Sequence, residues 1–263
     1  LAERRGFKED YTEGRSEMDW LRHLYDQASK QAAERGIEAP DFDQFWEIGS
    51  VESPQPGDSP ILFQAFCADP EANPLKTPSG KIEIFSETID GFGYDDCLGH
   101  PAWFEPAEWL GSERTKQYPL HLISNQPRAR LHSQLDGGVV SQASKVSGRE
   151  PVWINPQDAA ARGILDGDVV RLYNDRGTCL AGALVTDEIR HGVVQLATGA
   201  WYDPLEPGAV GSLDKHGNPN VLTMDKGTSK LAQSTSAQTT LVEIERYEGP
   251  VPELTVFAPP EID

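Results

Sequence analysis

Arg128, Arg130 and His132 stand two apart in a stretch that holds no acidic residue from Thr115 to Leu135. Around them Ser124, Asn125, Gln126, Ser133 and Gln134 supply neutral donors and acceptors. On an extended backbone alternate residues share a face, so the three cationic positions are expected along one strand edge. Such an edge suits a polyanionic small molecule, for instance a pyrophosphate. A basic surface strand paired with nearby acids accounts for the same residues equally well. The stretch runs against the rest of the 263-residue chain, which has 42 acidic and 23 basic residues and a formal charge of -19.

Two further polar clusters could complete an anion or heterocycle site. One is the turn Gly217-Asn-Pro-Asn220; the other is the low-charge run 227–238, with Gln233, Ala237 and Gln238. Side-chain amides present a donor beside an acceptor, which matches the edges of purine and pterin rings. Solvated loops with turn caps are the competing reading. No catalytic constellation accompanies these clusters. The six histidines show no HxH or HExxH spacing, and the five besides His132 are expected at the surface or as caps. Nucleotide-fold, P-loop and hydrolase-elbow motifs are missing from the sequence. Ser133 beside His132 is no nucleophile–base pair, because neighbours on a strand point to opposite faces. Cys67, Cys97 and Cys179 lack metal-ligand spacing and are expected as buried small apolar residues. No catalytic or metal-ligating residue is therefore assigned.

The acidity argues against nucleic acid and against anionic membrane surfaces as partners. No apolar run reaches the roughly 18 residues that span a bilayer, so membrane insertion is not expected. The chain opens on Leu1, not Met, which predicts a piece of something longer.

The elements that must position these residues are legible in outline. Met18, Leu21, Leu24 and Tyr25 recur at helical spacing across residues 13–35, with Gly36 as a stop. Residues 81–86 alternate apolar and polar like a half-buried strand. The aromatic segment 92–109 contains Pro101 and Pro106 and reads as an irregular connection. From residue 118 short strands follow one another: 118–124, 152–155, 168–174, 178–186, 193–198 and 238–246. One short helix interrupts them, with Asn155 as N-cap, Pro156 at N1 and Gly163 at its end. This pattern predicts a β-barrel.

At the polar clusters the sequence resembles the dimethyl sulfoxide reductase family of molybdenum enzymes. The motifs that carry the resemblance are His-Leu-Ile-Ser-Asn-Gln-Pro-Arg-Ala-Arg-Leu-His-Ser-Gln at 121–134, Gly-Arg-Glu-Pro-Val-Trp-Ile-Asn-Pro-Gln-Asp at 148–158, Gly-Ala-Trp-Tyr-Asp-Pro at 199–204 and Gly-Thr-Ser-Lys-Leu-Ala-Gln at 227–233. Within that family the chain is similar to the biotin sulfoxide, dimethyl sulfoxide and trimethylamine N-oxide reductase branch. The resemblance implies a mixed α/β segment, residues 1–116, that ends a preceding domain. It implies a double-psi β-barrel over 117–249 that binds a molybdopterin dinucleotide, and a Pro-rich tail over 250–263. The implied cofactor is bis(molybdopterin guanine dinucleotide) molybdenum. Its implied contacts are Ser124, Asn125, Gln126, Pro127, Arg130, His132, Ser133, Asn220, Ala237 and Gln238, with Arg130 pairing with phosphate or pterin oxygens. Asn155 and Gln233 are weaker candidates with capping and packing as their alternatives.

The implied reaction is two-electron reduction of an S-oxide or N-oxide, which needs the N-terminal remainder of the enzyme as partner. The molybdenum-ligating serine of this branch would lie upstream, so the 263 residues alone are expected to be inactive. The unpaired cysteines lean toward the cytoplasm over the periplasm. A free-standing barrel that binds a ligand or partner without catalysis is the alternative function.

Overall fold

A computed structural model describes residues 1–52, 61–236 and 238–259. The chain divides into two compact units, Leu1–Ile82 and Glu83–Asp263. Among its described residues the first contains four α-helices: α1 (Lys8–Thr12), α2 (Glu17–Glu34), α3 (Phe42–Ile48) and α4 (Gln64–Ala68). Helix α2 begins only after a capping box, in which Asp19 N donates to Ser16 Oγ and Ser16 N to Asp19 Oδ2. Tyr25 of α2 stacks on Phe45 of α3 at 4.5 Å and meets Phe42 edge-on at 5.7 Å.

Residues 81–86 form no strand, contrary to their alternation. Thr77 Oγ1 donates to the Lys81 carbonyl at 2.6 Å, and Ser86 Oγ instead caps α5 (Glu87–Asp90) by accepting from Ile89 N. Alternation specifies a strand only where a neighbouring strand can pair with it.

In the second unit six strands close a barrel in the order β1-β5-β2-β4-β3-β6. They are β1 (Leu120–Ile123), β2 (Pro151–Ile154), β3 (Val169–Tyr173), β4 (Thr178–Val185), β5 (Val193–Leu196) and β6 (Thr240–Arg246). Helix α6 (Val139–Ala143) lies between β1 and β2, and α7 (Pro156–Ala161) follows β2. Pairing is mixed: β1 with β5 and β2 with β4 run parallel, and the other four pairs are antiparallel.

The barrel closes because one face of each strand is apolar. Leu120, Leu122, Val152, Ile154, Val170, Leu172, Val194, Leu196, Val242 and Ile244 fill the interior. Each such side chain contributes about 1.5–3 kcal/mol when buried. Leu222, from the loop after the 3-10 turn Pro219–Val221, plugs the same core. Cys179 is buried there, but Cys67 is exposed, against expectation, because the short helix α4 buries none of its residues.

Candidate functional site

Parallel pairing of β1 with β5 puts their carboxyl ends side by side, and antiparallel pairing with β6 brings its amino end to the same rim. Loops leaving the carboxyl ends of parallel strands are a recurrent place for ligands. Here that rim gathers Ser124 after β1, Thr198 after β5 and Gln238 before β6. The Gln238 amide bridges the Ser124 backbone, accepting from its N at 3.3 Å and donating to its O at 2.7 Å. Thr198 N donates to Asn125 O at 2.9 Å, and His121 Nε2 meets Gln238 O at 2.8 Å.

Residues 124–136 are not the extended edge that their alternation suggested. The backbone turns at 131–134, with His132 at φ +50° and Leu135 at φ +61°. Arg128 and His132 are exposed, whereas the Arg130 side chain is completely buried. The cause is electrostatic: the Arg130 guanidinium lies 3.1 Å from Glu150 and 3.4 Å from Asp136, and Lys145 joins both carboxylates at 2.7 Å. Burial would raise the Asp136 carboxyl, but Lys145, the Trp201 N–H and Arg130 hold it below the usual range. Arg130 Nε also donates to His132 O and Nη2 to Thr198 O, both at 3.0 Å. Its donors thus all point at protein groups, and it bears on a ligand through the loop whose backbone it holds.

Two residues whose roles the sequence reading left unassigned complete this clamp. Gly199, at φ +92°, presses against the His132–Ser133 peptide, where an added Cβ would lie 2.0 Å from His132 O. Trp201 Nε1 donates to Ser133 O at 2.7 Å, and Trp201 N to Asp136 Oδ2 at 2.9 Å. Behind them His216 is wholly buried, which corrects its expected surface place. Its Nδ1 donates to Trp201 O at 3.0 Å, fixing the tautomer, and burial together with Lys145 keeps the ring neutral by lowering its pKa. The motif Gly-Ala-Trp-Tyr-Asp-Pro was the available signal for Gly199 and Trp201.

Of the predicted residues, Ser124, Asn125, Gln126, His132, Ser133 and Gln238 come together at this rim, and Pro127 continues the same loop. Gln126 Nε2 lies 3.2 Å from His132 Nδ1. Asn220 lies at the same end of the barrel but in another recess. Asn174 Nδ2 ties the two regions by donating to Leu222 O and to Leu241 O of β6. That recess, about 350 Å3, is lined by Asn220, Arg176, Tyr202, Ser212, Thr223 and Asp225. A second, of about 450 Å3, adjoins Gln238 and includes Phe104, Pro106, Met224, Thr228 and Ser236. Ala237 lies outside the described residues.

Asn155 sits at the far end of β2 and acts as a cap: Oδ1 accepts from Gln157 N, and Nδ2 donates to Ile189 O. Gln233 Nε2 donates to Ser229 O within its own loop.

The rim fits a flat, hydrogen-bonding heterocycle carrying phosphate. Among the described residues no donor reaches Asn125 Oδ1, a buried acceptor, although its Nδ2 is bonded to Gln126 O. A buried orphan acceptor is costly unless something donates to it. Gln126, His132 and Ser133 are exposed beside it, and the nearest acids, Asp136 and Glu150, are already neutralised.

Comparison with known proteins agrees with this geometry. Residues 120–241 match the family "Molydopterin dinucleotide binding domain". The chain is 50% identical over 262 residues to a dimethyl sulfoxide/trimethylamine N-oxide reductase of Cereibacter sphaeroides, covering 99% of this chain and 32% of that one. It is 51% identical over 260 residues to trimethylamine-N-oxide reductase 1 of Escherichia coli K12, covering 97% of this chain and 30% of that one. The chain belongs to the dimethyl sulfoxide reductase family. It spans about a third of the length of these relatives. Among solved structures, acetylene hydratase from Pelobacter acetylenicus superposes with a TM-score of 0.56 at 20% identity, over 68% of this chain and 25% of that one, a likeness of fold. The barrel is the double-psi barrel of a molybdopterin dinucleotide-binding domain.

Proposed function

We propose that this chain is the cofactor-clasping part of an enzyme that reduces S-oxides or N-oxides, and that its cofactor is bis(molybdopterin guanine dinucleotide) molybdenum. The names of its relatives support the reaction class. The observation that carries the binding role is the rim itself, where Ser124 and Gln238 lock two strand ends beside the orphan Asn125 Oδ1.

When bound, such a cofactor supplies the two-electron oxygen-atom chemistry. The chain's residues bind and orient. Asn125, Gln126 and Gln238 offer amide edges to a ring system, while His132 and Ser133 offer donors to phosphate or pterin oxygens. Arg130, Gly199 and Trp201 hold the backbone that presents them. Asn220 lines its own recess and is assigned a contact with a separate portion of the dinucleotide. The rest of the polypeptide would supply the metal ligand and the substrate pocket.

The test is made on the longer enzyme that carries this sequence. Purified protein should contain molybdenum, with guanine nucleotide in twofold excess over the metal, and should oxidise a reduced viologen with dimethyl sulfoxide or trimethylamine N-oxide. Protein that folds and purifies with neither metal nor guanine nucleotide would overturn the reading.

A further inference from the structure

The chain does not leave the barrel after β6. Residues 250–258 are held against it by charged groups that are themselves buried. Arg149 Nη2 donates to Pro252 O at 2.7 Å, and Lys215 Nζ donates to Glu253 O at 3.0 Å and Thr255 Oγ1 at 2.9 Å. Asp203 accepts from Thr255 N, Thr255 Oγ1 and Val256 N at 2.8, 2.6 and 3.2 Å, and pairs with Lys215 at 3.2 Å. Arg149, Asp203 and Lys215 are each 5% exposed or less. Burying charges is expensive, and a tail without a task could lie in water without them.

These anchors deliver one side chain. The Phe257 ring meets His216 edge-on at 5.1 Å and Trp201 at 5.8 Å, and a Cβ at Gly137 would sit 3.4 Å from it. Phe257 is still 37% exposed, so its burial adds little to the core. What it does is close off the side of Trp201, the residue whose indole holds Ser133 O and whose N–H is held by Asp136.

We propose that residues 250–258 form a strap that sets the position of the 131–136 loop through Phe257 and Trp201, and thereby governs how firmly a dinucleotide is retained. The second half rests on the cofactor reading above. Phe257 is a positioning residue, since it touches the loop's anchor and not the predicted contact side chains.

The experiment compares wild type, Phe257→Ala and Phe257→Tyr in the full-length protein. Backbone hydrogen exchange is followed peptide by peptide, and molybdenum and guanine nucleotide are followed through dialysis. Loss of the two aromatic pairs in Phe257→Ala should speed exchange in 131–138 roughly threefold to tenfold. Exchange in β3 and β6 should stay unchanged, and guanine nucleotide should leave faster. Phe257→Tyr, which keeps the ring, should behave as wild type. Unchanged exchange in 131–138, or equal acceleration throughout the barrel, would overturn the strap. Faster loop exchange with unaltered nucleotide loss would overturn its link to retention. Wild type carrying no guanine nucleotide would instead overturn the cofactor reading, while the exchange data still decide whether the strap positions the loop.

Discussion

At Gly199 the exit of β5 runs so close to the His132–Ser133 peptide that no side chain fits between them. Replacing Gly199 by Ala should push the 131–136 loop outward and destabilise the barrel by roughly 2–4 kcal/mol, through both the clash and the positive φ. Thermal denaturation measures the loss, and cofactor content should fall with it. Gln238→Ala is gentler: it removes two hydrogen bonds to Ser124 and should cost about 1–3 kcal/mol. Cofactor retention in Gln238→Ala should weaken more than that stability loss alone explains, whereas normal retention would count against its contact role.

The buried acids predict a pH dependence. Burial would raise Asp136, Asp203 and Glu108, but Lys145, Thr255 and Arg176 respectively head the groups that hold them low. A carboxylate with a depressed native pKa contributes stability above its unfolded value, near pH 4, that is lost as pH falls through the native value. From these carboxylates the unfolding temperature should drop steeply below pH 4, while His216, buried neutral with a lowered pKa, adds an earlier loss once pH falls below the ordinary imidazole value near 6.5. Asp203→Asn should flatten that drop. The types of these residues were visible in the sequence; their pairing was not, because Asp136, Lys145 and Glu150 are brought to Arg130 only by the turn of the loop and by β2.

Helix α7 shows an element written locally. Asn155 as cap, Pro156 at the first position and Gly163 at the end were each readable, and the helix occupies Pro156–Ala161. Asn155→Ala should cost about 1–2 kcal/mol, with the second bond to Ile189 O placing it at the upper end of the capping range. Its molybdenum content should be unchanged, because Asn155 stands at the barrel end opposite Ser124. The barrel strands were legible for the same local reason, alternation bounded by turn residues. The 124–136 loop was not: two-residue spacing predicts a shared face only if the backbone stays extended, and the buried Arg130 folds it back. The strand expected at 81–86 failed for the complementary reason, an alternating pattern with no partner to pair with.

Across these 263 residues the charge of -19 sets the solution behaviour. Like charges at this density repel, and salt screens them within about 10 Å at 0.1 M. Raising NaCl from about 10 mM to 150 mM should increase the unfolding temperature, as followed by circular dichroism. A decrease would mean that the ion pairs gathered at Asp136, Glu108 and Asp203 outweigh the general repulsion. The barrel's order of strands carries a consequence for synthesis. Leu120 of β1 pairs with Val242 of β6, so the first strand made waits for the last. On a ribosome β1 emerges with neither of its neighbours, and closure must follow translation of nearly the entire domain. The loop after β1 takes its shape only then, so the groups that Ser124 and Gln238 align are the last feature of the domain to form, although Ser124 is among the first of its residues to be made.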